Sequence, residues 1–147
     1  MPMENSKLYR YLTYAGTLPF IICAVMPYAG NPDFPGLGSF DQIASAYGLA
    51  ILSFMAGTHW GLYLSVAARV PVNLFITSNV VTVAAWAAFM AGPALFTLAM
   101  LGAGFVFLLY IDYGLRAREV LTPGYLRTRL HATVIVVASL IVTVIAL

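Results

Sequence analysis

Two residues carry the chemistry that this sequence offers. His59 sits in the apolar run Ala56-Gly57-Thr58-His59-Trp60-Gly61, and Asp112 lies between Tyr110 and Tyr113. An imidazole can pass a proton, bind haem iron or hold a hydrogen bond. A carboxylate can accept from an arginine. Neither residue comes with the rest of a catalytic set. There is no HExxH motif and no phosphate-binding glycine loop, and no nucleophile has an evident base. The sequence therefore reads as non-catalytic. One cysteine, Cys23, excludes an internal disulfide and a Cys-rich metal site. Asp33 and Asp41 are too few for calcium. No metal and no cofactor is expected.

The elements that must position these residues follow from composition. Of 147 residues, 62% are hydrophobic and 8% charged, against about 25% charged in an ordinary soluble domain. Seven basic and five acidic side chains cannot cover a soluble surface. This excludes a soluble enzyme, a nucleic-acid-binding module and a disordered segment. A helix crosses the hydrocarbon in about 20 residues. The apolar runs predict an all-α bundle of five transmembrane helices over residues 9–27, 41–68, 72–91, 94–113 and 126–147, forming one domain over 1–147. Gly16 and Pro19 should kink the first helix. Pro27, Pro32 and Pro35 break the chain before the second, Pro71 ends it, and Gly92-Pro93 turns the third into the fourth.

With five crossings, Lys7, Arg10, Arg69, Arg116, Arg118, Arg127 and Arg129 all fall on one side. Asp33 and Asp41 fall on the other. The positive-inside rule then puts the N-terminus in the cytoplasm (or matrix) and the C-terminus outside.

These spans bury His59 deep in the second helix, where an ionisable group usually faces the bundle interior. At about 100° per residue, Ser53, Gly57, Gly61 and Ser65 form a stripe of small residues that lets another helix approach. His59 points away from that stripe. Asn79, on the antiparallel third helix, lies at a similar depth, so His59, Trp60, Tyr63 and Asn79 form a candidate ligand pocket. The alternative is that His59 pins helix register through a hydrogen bond. His131 lies shallower, near the cytoplasmic end of the last helix, and does not suit a bis-histidine haem site. A second group is expected at the cytoplasmic face, where Asp112 can pair with Arg116 one turn on, or with Arg127 or Arg129 across the last connection. That group reads either as an interfacial clasp or as a surface for an anionic headgroup or partner subunit.

The run from Tyr47 to Gly61, YGLAILSFMAGTHWG, resembles the signature of the family called domain of unknown function 3429, or transmembrane protein 69-like. Gly16-x-x-Pro19-Phe20, Asp112 and Tyr125-Leu126-Arg127-x-Arg129-Leu130 fit the same pattern, so the resemblance covers nearly the whole chain. The family shows an aromatic pair before the last Leu-Arg, and Gly124 takes the first of those positions here. The resemblance, to a family with bacterial inner-membrane and mitochondrial members, implies a multi-pass protein, here expected in the bacterial inner membrane, and a set of shared residues, with no particular reaction.

Two functions remain. The first is a non-catalytic interaction or assembly factor, with the glycine stripe and basic face touching a membrane-protein partner or a second copy in the bilayer. The other is binding, sensing or transport of a hydrophobic small molecule (a quinone, lipid or tetrapyrrole) near His59. Nucleic acid is not an expected partner.

Overall fold

A computed structural model of the chain describes residues 3–66, 70 and 72–147. The end of the expected second span at residues 67–68, its stop at Pro71 and the basic Arg69 lie outside the described residues. The helices are α1 (Met3–Ala15), α2 (Leu18–Val25), α3 (Phe40–Val66), α4 (Leu74–Ala91), α5 (Ala94–Ala117) and α6 (Pro123–Ile145). α1 and α2 are two halves of one bent segment, so the bundle has five helical rods. Among the described residues, four stretches are long and apolar enough to cross a membrane: Lys7–Ala29, Leu74–Ala91, Ala94–Ala117 and Pro123–Ile145. The protein thus has the helices of a multi-pass membrane protein. The fifth rod, α3, is 27 residues long and about 40 Å by its rise.

The bend between α1 and α2 has a local cause. Pro19 has no N–H to give Ala15, so the ladder breaks at Gly16 and Thr17. The Gly16 carbonyl left free there accepts from the Tyr47 hydroxyl of α3 at 3.0 Å. A 3-10 turn, Met26–Ala29, ends on Gly30 at φ 84°, in the left-handed region that glycine adopts freely. A two-residue hairpin follows, with β1 (Asp33–Phe34) antiparallel to β2 (Gly38–Ser39).

The later boundaries are set by caps. The Asn73 side chain accepts from the N–H groups of Phe75 and Ile76 at the start of α4. Thr97 of α5 donates to the Ala88 carbonyl at 2.9 Å, tying the turn through Gly92 and Pro93. α6 begins at Pro123, three residues before the expected start at 126. Thr122 caps it by accepting from the Tyr125 N–H, and Pro123 fills the first helical position, where its missing N–H costs nothing. α5 runs to Ala117, past the expected end at 113, because the residues from Gly114 to Ala117 include no helix breaker but glycine.

α3 is the central rod. It packs on α2, α4 and α5 and touches α6, while α6 packs on α2 and α5. The core between them includes Phe20, Leu52, Leu98, Leu101, Leu108 and Leu140. Close approach depends on Gly48 and Gly104. A Cβ at Gly48 would lie 2.8 Å from Leu101, and one at Gly104 would lie 2.7 Å from Leu52.

Gly57 and Gly61 behave differently. Both are exposed, and among the described residues a Cβ at either would meet nothing within 4 Å. Among the described residues, then, the two glycines of the stripe Ser53-Gly57-Gly61-Ser65 make no close contact with a neighbouring helix. The inward face of α3 carries Leu52, Ala56 and His59, and the stripe lies off that face.

Candidate functional site

The two groups that the sequence keeps apart meet in the core. His59 Nε2 lies 2.9 Å from one Asp112 oxygen, and Arg129 Nε donates to the other at 2.9 Å. The three residues are 2%, 1% and 4% exposed. Arg129 Nη1 also reaches the Met55 sulfur. Asp112 thus joins α3, α5 and α6 through one carboxylate.

Helical periodicity explains this placement. On α5, Leu98, Leu101, Phe105, Leu108, Asp112 and Leu115 are all buried. They recur three or four apart, as one helix face requires, and Asp112 occupies a core position on that face. Arg129 stands on the α6 face that continues through Ala132, Thr133, Val136 and Leu140. Each Asp112 oxygen thus has one partner, Arg129 Nε as a donor on one and the His59 ring on the other. His59 Nδ1 and Arg129 Nη2 are buried without a partner, as is the Tyr9 hydroxyl.

Beside Arg129 lies a cavity of about 360 Å³ between α1, α3 and α6. Its polar end is formed by Tyr9, Thr58, Tyr125 and Arg129, and its apolar wall includes Ile51, Phe105 and Val136. Tyr9 and Tyr125 stack with ring centroids 5.5 Å apart. Two larger clefts, of 740 and 730 Å³, open near the hairpin and between α5 and α6. Neither is lined by His59, Asp112 or Arg129.

The pocket expected from His59, Trp60, Tyr63 and Asn79 does not form. His59 turns inward to Asp112. Trp60 is 45% exposed and packs on Phe75, with Tyr63 edge-on to the same ring. Asn79 is exposed and donates to the Phe75 carbonyl at 2.7 Å in its own helix. The inward face of α4 is Leu74, Ser78, Val81, Ala85 and Ala88, which turns Asn79 about 100° away from it. What remains between α3 and α4 is a shallow groove lined by Ser53, Gly57, Trp60 and Asn79. Asn79→Leu should therefore change stability by no more than about 0.5 kcal/mol, as read from unfolding of the detergent-solubilised protein.

The interfacial cluster is divided in the same way. Asp112 and Arg129 are buried, whereas Arg127 is exposed and Arg116 half-buried. Among the described residues neither Arg116 nor Arg127 makes an ion pair. His131 is exposed and meets the Tyr14 hydroxyl at 3.1 Å, away from His59. The described residues contain no group of three His, Cys, Asp or Glu side chains that could hold a metal.

The geometry provides a buried acid–imidazole–guanidinium relay next to an amphipathic cavity. Gly124, where the resemblance expects an aromatic, has open space around it, and Tyr125 finds its aromatic partner in Tyr9. No curated protein and no solved structure matches the chain. Residues 5–145 do match the family model described as protein of unknown function (DUF3429), and a match across that length shows that the chain belongs to this family.

Proposed function

We propose that this protein is a non-catalytic, five-crossing membrane protein that holds a hydrophobic small molecule in the cavity beside Arg129. One observation carries the reading. A buried guanidinium, with one N–H₂ group lacking a partner, borders a cavity whose other walls are largely apolar. A volume of about 360 Å³ falls in the range of ligand pockets, about 300–1,000 Å³. The relay supports binding through Arg129. His59 and Asp112 fix the guanidinium and do not line the cavity. In this reading α3 is the fifth crossing, the N-terminus is cytoplasmic and the membrane is the bacterial inner membrane. The one-sided basic residues support the orientation.

The test is native mass spectrometry of protein extracted gently from its own membranes. A small-molecule mass should accompany the wild type. Ala132→Leu, which adds bulk to the cavity wall, should lower its occupancy at least about tenfold while the unfolding midpoint stays within a few degrees. Equal occupancy in the two proteins would refute the cavity as the binding place.

A second reading is that the protein is an interaction or assembly factor, and the outward-facing Gly57 and Gly61 support it. A small-residue stripe on a membrane helix suits close packing of another helix, from a partner protein or a second copy. Gly57→Leu should then abolish co-purification of the partner while His59→Ala leaves it in place. A partner retained in Gly57→Leu counts against this reading.

A further inference from the structure

The chemistry of the cavity's polar end narrows what it can hold. Among the described residues, two buried polar atoms of its lining residues have no partner, Arg129 Nη2 and the Tyr9 hydroxyl. Arg129 Nη2 is a donor with no acceptor capacity, and the phenol is an available donor. The hydroxyls of Thr13, Thr17 and Thr58, which also line the cavity, already donate to the backbone carbonyls of Tyr9, Tyr14 and Met55. The wall therefore asks for an acceptor.

The charge of the surroundings decides between a neutral acceptor and an anion. Asp112 spends one oxygen on Arg129 and the other on His59. The guanidinium charge is thus already matched by a carboxylate at hydrogen-bond distance. The Arg129–Asp112 pair therefore carries no net charge. An anionic head entering this cavity would have to give up its hydration for a site with no net positive charge.

Resting on the reading that the cavity holds a hydrophobic molecule, we infer that its ligand is an amphiphile with a neutral carbonyl head. The carbonyl oxygen accepts from Arg129 Nη2 and the Tyr9 hydroxyl, and the stacked Tyr125 flanks the head. The tail lies along Ile51, Phe105 and Val136, away from the polar end. Asp112 and His59 act as positioning residues, because they hold the guanidinium edge toward the cavity without touching the ligand. Two sources present this chemistry: a free carbonyl amphiphile such as a quinone, and the ester carbonyl of a bilayer lipid.

The probes are a decyl-substituted benzoquinone and myristate. Each is titrated by calorimetry into the full chain in nanodiscs of ether-linked phosphatidylcholine, with empty nanodiscs as the partition control. The quinone should bind saturably, at least about tenfold tighter than myristate. Tyr9→Phe should weaken quinone binding about fivefold, the worth of one net hydrogen bond, and leave myristate unaffected. Tyr9→Phe removes one exchangeable hydroxyl from a partly buried ring, so the fold survives it. Tighter binding of myristate than quinone would overturn the carbonyl inference while leaving the cavity reading intact. Quinone binding unchanged by Tyr9→Phe would overturn the assignment of its head to this wall. Saturable binding of neither probe would overturn both readings. A repeat in ester-linked phosphatidylcholine separates the sources. Unchanged quinone affinity supports a free amphiphile, and a tenfold loss supports competition by lipid ester carbonyls.

Discussion

Asp112→Ala should cost the bundle about 3–5 kcal/mol, the penalty for leaving one member of a buried ion pair unpaired. The deletion strands the Arg129 guanidinium in a core position where it is 4% exposed. It also removes the one hydrogen-bond partner that the His59 ring has among the described residues, where Nδ1 has none. Three helices lose their common point of attachment in one step. The measurement is reversible unfolding in mixed micelles of mild detergent and dodecyl sulfate. Asp112→Asn should cost less, because the amide oxygen still accepts from one of the two donors. The triple replacement His59→Leu, Asp112→Leu, Arg129→Met should recover most of the loss, since an apolar set of similar volume avoids the cost of burying charge. If Asp112→Ala unfolds no more readily than wild type, the three side chains are not joined as the geometry has them.

The triple replacement also separates stability from function. If the relay exists to pin the helices, a stable apolar version keeps every property of the protein. If it exists to present the guanidinium to the cavity, the apolar version folds and loses its small molecule. A merely structural role predicts equal occupancy in the two proteins, so one mass spectrum discriminates between them.

The bundle was legible because apolar runs separated by Pro and Gly leave a chain this hydrophobic few alternatives. The bend at Gly16 was legible for a local reason: a missing N–H at Pro19 acts on the ladder wherever the helix sits. The relay was harder to see. Reading Asp112 as the last residue before a polar stretch assigns it to the headgroup level. Reading it as the next member of Leu98, Leu101, Phe105 and Leu108 assigns it to the core. Both patterns are in the sequence, and the second is the stronger, since α5 continues to Ala117. Thr122-Pro123 likewise carried the start of α6, as a capping residue followed by the proline that favours a first helical position. Asn79 could not be placed by depth alone. Depth put it level with His59, but its angle about α4 turns it outward. Two helices must be oriented about their own axes before residues at one depth can be said to meet.

The glycines show the same limit, and they give the second large effect. Gly104→Val should destabilise the bundle by about 1–3 kcal/mol, the usual cost of forcing extra atoms into a packed core. Its first added carbon would already lie 2.7 Å from Leu52, with Val81 at 3.5 Å on the same side. Leu52 is fully buried and has little room to retreat. The valine adds two methyl groups beyond that carbon, so α3 and α5 must separate or α4 must shift. Gly57→Leu, in the more conspicuous small-residue motif, should change the unfolding of the isolated chain by no more than about 0.5 kcal/mol, because open space surrounds that position. The two variants are compared in the same dodecyl sulfate titration. Spacing alone favours Gly57 and Gly61, since a pair one turn apart is the known signature of close helix approach. Gly104 packs singly, and its importance comes from Leu52 on the facing helix, a relation that no spacing within α5 records. A large loss from Gly57→Leu in the isolated chain, with a small one from Gly104→Val, would mean that α3 is rotated about its axis relative to this structure. Such a rotation would also carry His59 away from Asp112, so the pair of variants tests the relay from a direction that does not touch its charges.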